Sequence, residues 1–188
     1  MSNAVLDAIF ARRSIRAYAK EQITDDQLQT ILDAAEAAPS ARNLQPWHFT
    51  AVQDAALICR VNEAFREQML EVCEPDTRDR FENPEYSVFY HAPTVIFLSC
   101  PSLAEKRYAE TDCGMAIENM ALAAHALGLG TVILGMPRMA FLGAEADDLR
   151  CALRFPEGHD FILALSVGIP AGTKDAHPVE SGRVTIIR

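Results

Sequence analysis

Along this chain, apolar residues recur at helical spacing in some stretches and gather in short, strand-length runs in others. Val5, Leu6, Ile9 and Phe10 share one face of a first helix that Ser2 or Asn3 can cap. Thr24-Asp25-Asp26-Gln27 has the form of a capping box, with acidic residues where the helix dipole favours them. Leu28, Ile31, Leu32 and Ala35 supply the apolar stripe of that helix, and Pro39 ends it, because the residue before a proline disfavours helical geometry. Trp47–Val52 reads as a strand, and Asp54 opens a helix running to about Met69. Residues 71–87 are charged and contain proline without clear periodicity, which predicts a long loop or a partly helical excursion. Thr94–Ser99, Gly130–Leu134 and Phe161–Val167 predict core strands, and Asp147–Leu153 a short helix. Tyr108–Leu127, closed by Gly128, is apolar on nearly every face, as a buried central helix would be. Val184-Thr185-Ile186-Ile187 again has the composition of a strand. Helices bracket strands without a strict βαβ rhythm. The expected fold class is therefore α+β, a central mixed or antiparallel sheet flanked by helices.

The bulk numbers narrow this further. The 188 residues contain no repeat or linker and suggest one domain over 1–188, with 49% apolar residues for a core and 23% charged. A formal net charge of −9 argues against nucleic acid or an anionic membrane surface as partner, since both bind through basic surfaces. No apolar run approaches bilayer-spanning length, and Met1-Ser2-Asn3-Ala4 lacks the features of a signal peptide, so a cytoplasmic location is expected. Cys59, Cys73, Cys100, Cys113 and Cys151 are scattered and odd in number, which suits thiols in a reducing compartment. The five histidines form no metal-ligand spacing, so no metal is expected.

Against this acidic background stands a basic pentad, Arg12-Arg13-Ser14-Ile15-Arg16. Guanidinium groups are planar forks that match phosphate oxygens, and a serine hydroxyl adds a donor. The simple alternative is a solvated basic patch. The strand-like tail must find a sheet edge, either on its own chain or on a second subunit.

Taken in order, several segments resemble the nitroreductase family of flavin mononucleotide (FMN) enzymes. They are the pentad, Pro39-Ser40-Ala41-Arg42-Asn43-Leu44-Gln45-Pro46-Trp47-His48-Phe49, Ala92-Pro93, Asp112-x-Gly114-x-Ala116 with Asn119-x-x-Leu122-x-Ala124, Gly128-Leu129-Gly130-Thr131 and Gly168-Ile169-Pro170. The resemblance implies a homodimer with exchanged C-terminal strands and an FMN site at each side of the interface. It implies that Arg12, Arg13 and Ser14 hold the flavin phosphate and ribityl chain, with Arg16 near the pyrimidine edge. Ser40, Asn43 and Gln45 would come from the partner subunit, Leu134 and Gly135 would run beside the ring, and Arg183 would reach the phosphate. Gln68 is a further candidate for a pyrimidine contact. No side chain is expected to act as a catalytic acid or base, because the cofactor carries the hydride chemistry.

The function so implied is ping-pong hydride transfer from NADH or NADPH through FMN to a small electron acceptor such as a nitroaromatic or quinone. Alternatives are FMN-linked reductive dehalogenation, flavin modification, or a non-catalytic flavin-binding module. Three departures from the family pattern stand out: Ala41 where many members have a second serine, the bulky Arg42, and Ser181 beside Arg183 in place of a basic pair. Trp47, His48 and His125 read as structural and Cys113 as a buried thiol, while Asp112 could cap the long helix. Phe65, Phe81, Tyr86, Phe89 and Tyr90 could form a substrate lid or simply pack the 71–87 excursion down.

Overall fold

The computed structural model describes residues 3–101 and 107–188. Its helices are α1 (Ala4–Ala11), α2 (Asp25–Glu36), α3 (Ala55–Val72), α4 (Arg78–Glu82), α5 (Ala109–Ala126) and α6 (Ala146–Ala152). Strands β1 (His48–Val52), β2 (Thr94–Pro101), β3 (Gly130–Leu134) and β4 (His159–Gly168) form a sheet in the order β1-β2-β4-β3. Every neighbouring pair is antiparallel, so the α+β expectation holds and the sheet is not mixed.

Local chemistry accounts for the boundaries. Asn3 caps α1 by accepting from Val5 N and Leu6 N, while Ser2, the other candidate, lies outside the described residues. The capping box forms as read: Gln27 N donates to Thr24 Oγ1 at 3.2 Å and Thr24 N to Gln27 Oε1 at 2.9 Å. Asp54 caps α3 through Ala56 N and Leu57 N.

The central strand β2 explains why Thr94–Ser99 reads as an unbroken apolar run. Val95 and Phe97 enter the core shared with α3 and α6, whereas Ile96, Leu98 and Cys100 enter the one shared with α2 and α5. Both faces are buried, and each such large side chain contributes roughly 1.5–3 kcal/mol relative to exposure.

Two expectations change. Helix α5 buries Cys113, Ala116, Ile117, Met120, Ala121 and Ala124, but Met115, Leu122 and Ala123 on its other side are only half-buried. Within one chain nothing deep enough covers that side. The strand expected over 184–187 does not form: Val184 and Ile187 are 80% and 93% exposed, and residues 171–188 pair with no strand of their own sheet. A lone extended segment has no ladder partner and so no reason to be a strand. Residues 71–87 are partly helical, holding a 3₁₀ turn at Pro75–Thr77 and then α4. They are packed down: Phe81 is buried against Phe65 and Tyr86, and Arg66 Nε donates to Phe81 O at 3.0 Å.

Candidate functional site

The basic pentad is laid against the outer edge of β3 by contacts that need glycine. Ser14 bridges Thr131, Ile15 N donates to Thr131 O at 2.8 Å, and Ala19 N to Ile169 O at 2.9 Å. A Cβ on Gly130 would meet Ile15 Cγ2 at 2.9 Å and Pro170 Cβ at 3.1 Å, and one on Gly168 would meet Pro93 and Tyr18 at 3.0 and 3.1 Å. Two of the glycines in the motifs are therefore explained by close approach. Tyr18 completes the seating, its half-buried hydroxyl donating to Ile15 O at 2.7 Å. Burial pushes that phenol well above the usual tyrosine range, against the opposing influence of Arg16.

The segment lines a cleft of about 480 Å³ with Arg12, Arg13, Ser14, Arg16, Lys174 and His177 among its walls. Arg12 Nε is fully buried and makes no hydrogen bond; the Glu118 carboxylate on α5 lies 3.4 Å away as an ion pair. A buried donor without a hydrogen bond is rare, and among the described residues only the charge of Glu118 balances it, which leaves room for a second acceptor. Arg13 Nη1 turns back to donate to Phe10 O and Arg12 O, both at 2.7 Å, closing the C-terminal end of α1. Its fork retains other donors. Arg16 Nη1 donates to Ser14 O at 3.3 Å, and its guanidinium lies over the Tyr90 ring at 5.7 Å. This collection of cations around a hydroxyl fits a dianionic phosphate of the kind FMN carries.

Leu134 and Gly135 lie at the far end of β3, three residues or about 10 Å beyond the Thr131 bridge. Gly135 has an ordinary φ of −96°, and a Cβ there would meet only Leu163 at 3.9 Å. Nothing in its own chain requires glycine at this position, which fits the close approach of a flat ligand. Gln68 lies elsewhere, donating to Glu71 at 2.9 Å beside Gly143.

The loop bearing Ser40, Asn43 and Gln45 does not reach the cleft. It is held near the start of α5, where Ala41 N donates to the Asp112 carboxylate at 3.2 Å. Glu118, the partner of Arg12, is six residues further along the same helix, which places the two about 9 Å and 120° apart around its axis. Arg183 also stays away, paired with Glu180 on the exposed tail. One chain thus assembles Arg12, Arg13, Ser14 and Arg16, with Leu134 and Gly135 along the adjoining strand, and leaves the loop and Arg183 outside.

The residues read as structural have these settings. Trp47 is half-buried and stacks on Phe49 at 6.1 Å, and His48 meets the His159 ring edge-on. Cys113 is wholly buried; a hydrogen bond with Cys100 and desolvation push its thiol far up, which keeps it unreactive. Sequence reading missed Glu118, Tyr18, Lys174 and His177 around the cleft. Only Tyr18, an aromatic two residues past the pentad, carried any local signal. Among the described residues no group of His, Cys, Asp and Glu is arranged to hold a metal, and no helix is long and apolar enough to cross a membrane.

Known proteins share this fold. The Nitroreductase family profile matches residues 9–169. A provisionally named NADH dehydrogenase/NAD(P)H nitroreductase of Archaeoglobus fulgidus is 36% identical over 179 residues, covering 93% of this chain and 90% of its own. A nitroreductase of Bacteroides fragilis, solved with bound FMN, matches all of both chains with a TM-score of 0.92 and 32% identity. Another from Desulfitobacterium hafniense, also with bound FMN, gives 0.92 at 28% identity over the full length of both. The chain belongs to the nitroreductase family.

Proposed function

We propose that this protein is an FMN-dependent oxidoreductase that takes hydride from NADH or NADPH and delivers it to a small electron acceptor such as a nitroaromatic or quinone. The observation that carries this reading is Arg12, whose buried Nε makes no hydrogen bond, is balanced among the described residues only by the Glu118 ion pair, and stands beside the Ser14 segment in a basic cleft. FMN, when bound, accepts hydride from the nicotinamide and passes it to the acceptor. The chain's own residues bind and orient. Arg12 and Ser14 hold the phosphate, with the remaining donors of Arg13 and the cleft-lining Lys174 in support. Arg16 supplies a fixed positive charge toward the pyrimidine edge, where it favours added negative charge and raises the potential. The Leu134–Gly135 backbone runs beside the ring. If donor and acceptor share one binding position beside Leu134 and Gly135, they would have to use it by turns, the ping-pong order.

The active unit is a homodimer. Its support is physical: the apolar face of α1 is exposed (Phe10 by 71%), β1 is paired on one side only, and the strand-like tail is unpaired. An exchanged tail laid on a partner's open edge would satisfy both backbones and carry Arg183 toward a phosphate. Ser40, Asn43 and Gln45 then reach the flavin of the other subunit. Five thiols, with no disulfide among them, and the need for NAD(P)H are in keeping with a cytoplasmic enzyme.

The test is an absorption spectrum of purified protein before and after anaerobic NADH or NADPH. The expected result is a flavin band that bleaches with at least one donor and returns on adding a nitroaromatic or quinone. A colourless protein that gains no thermal stability from added FMN would overturn the reading.

A further inference from the structure

The Asp112 carboxylate is 3% exposed, and its two oxygens lie 3.2 and 3.3 Å from one donor, the Ala41 backbone N–H. Ala41 opens the one-turn segment Ala41–Asn43. Ser40 is the residue that would ordinarily cap such a turn, but its Oγ instead accepts from Gln45 N at 3.0 Å. Three non-glycine residues in this loop, Arg42, Asn43 and Gln45, have φ of 55°, 55° and 44°. Left-handed backbone of this kind is strained and persists only where its surroundings over-determine it. The other hydrogen bonds of the loop close on themselves: Asn43 N to Ser40 O, Leu44 N to Ala41 O, Gln45 Nε2 to Asn43 Oδ1. Among the described residues, the bond to Asp112 is the hydrogen bond that ties the loop to α5.

We propose that Asp112 is a positioning residue, whose carboxylate fixes residues 40–45 in the strained form that presents Ser40, Asn43 and Gln45 to flavin. This rests on the flavin reading above. Aspartate suits the task because it sits in the first turn of α5, where the helix dipole favours a negative charge. An ionised acceptor also makes the stronger hydrogen bond.

Arg42 provides a reporter that needs no flavin, being exposed within the loop and a site for trypsin. Wild-type, Asp112→Ala and Asp112→Asn proteins are first treated with trypsin without FMN, and cleavage after Arg42 is followed by mass spectrometry. The expected result is cleavage about tenfold faster in Asp112→Ala, with Asp112→Asn between, since its amide oxygen still accepts from Ala41 N. FMN affinity, from fluorescence titration, should fall about tenfold in Asp112→Ala and less in Asp112→Asn. A folded Asp112→Ala protein with unchanged cleavage after Arg42 overturns the proposal. Faster cleavage with unchanged FMN affinity overturns the presentation role. If Asp112→Ala does not fold, Asp112→Asn decides: a measurable rise in cleavage after Arg42 with weaker FMN binding supports the proposal, and wild-type behaviour sinks it. Failure of wild-type protein to bind FMN would overturn the functional reading separately, leaving the cleavage result to judge the tie.

Discussion

The pentad and the 40–45 loop carry parts of one proposed site, yet they are held in opposite ways. Residues 14–19 lie flat against β3 and the end of β4, with backbone hydrogen bonds at Ile15 and Ala19, a half-buried Tyr18 and two glycines that leave no spare room. The loop has three left-handed residues, bonds mostly to itself, and leans on Asp112. Rigid seating suits the group proposed to match a fixed phosphate, because the backbone carrying Ser14 is placed before a ligand arrives. A strained loop leaning on Asp112 suits the role proposed for it, meeting a ligand across a subunit boundary.

The largest expected effect comes from emptying the rigid half. Arg12→Ala should weaken FMN binding by about a hundredfold in fluorescence titration, the loss of charge-assisted bonds to a phosphate. Arg12→Lys should recover part of the loss as a point charge without the fork. Next is Gly130→Ala, whose new Cβ would force Ile15 or Pro170 to move. It should cost about 1–3 kcal/mol in denaturant unfolding and weaken FMN binding about tenfold by shifting Ser14. Tyr18→Phe should cost about 1 kcal/mol at neutral pH. Because burial raises the Tyr18 phenol in the folded state, its contribution is present below the ordinary tyrosine pKa of about 10 and declines as pH rises above it. Wild type should therefore lose stability above that pH more steeply than Tyr18→Phe, as read from denaturant melts across the range. The smallest effect is Gly114→Ala: a Cβ in the middle of α5 meets nothing within 4 Å, so thermal melts should show a gain of about 0.5–1 kcal/mol.

Features set by neighbours in sequence were legible in advance. The capping box at Thr24, the cap at Asp54 and the run Thr94–Ser99 all depend on residues a few positions apart, and they form as read. The pentad by itself also reads as a solvated basic patch, and the phosphate reading comes with the motifs that follow it in the chain. What holds it was not legible: Glu118 is over a hundred residues from Arg12, and Thr131 equally far from Ile15. The same applies to Asp112, whose bond to Ala41 spans 71 positions, so it read only as a helix cap. Val184–Ile187 shows the reverse failure. Its composition is that of a strand, but strand formation depends on an available edge, and its own chain offers it none that it reaches.

The most direct measurement of the phosphate assignment is a four-way titration, FMN and riboflavin each against wild type and Arg12→Ala. Riboflavin lacks only the phosphate, so the ratio of the two affinities isolates what the basic cleft contributes. The expected result is a strong preference of wild type for FMN, about a hundredfold, that collapses toward equality in Arg12→Ala. An unchanged preference in the variant would contradict the assignment, since the phosphate would then be held elsewhere.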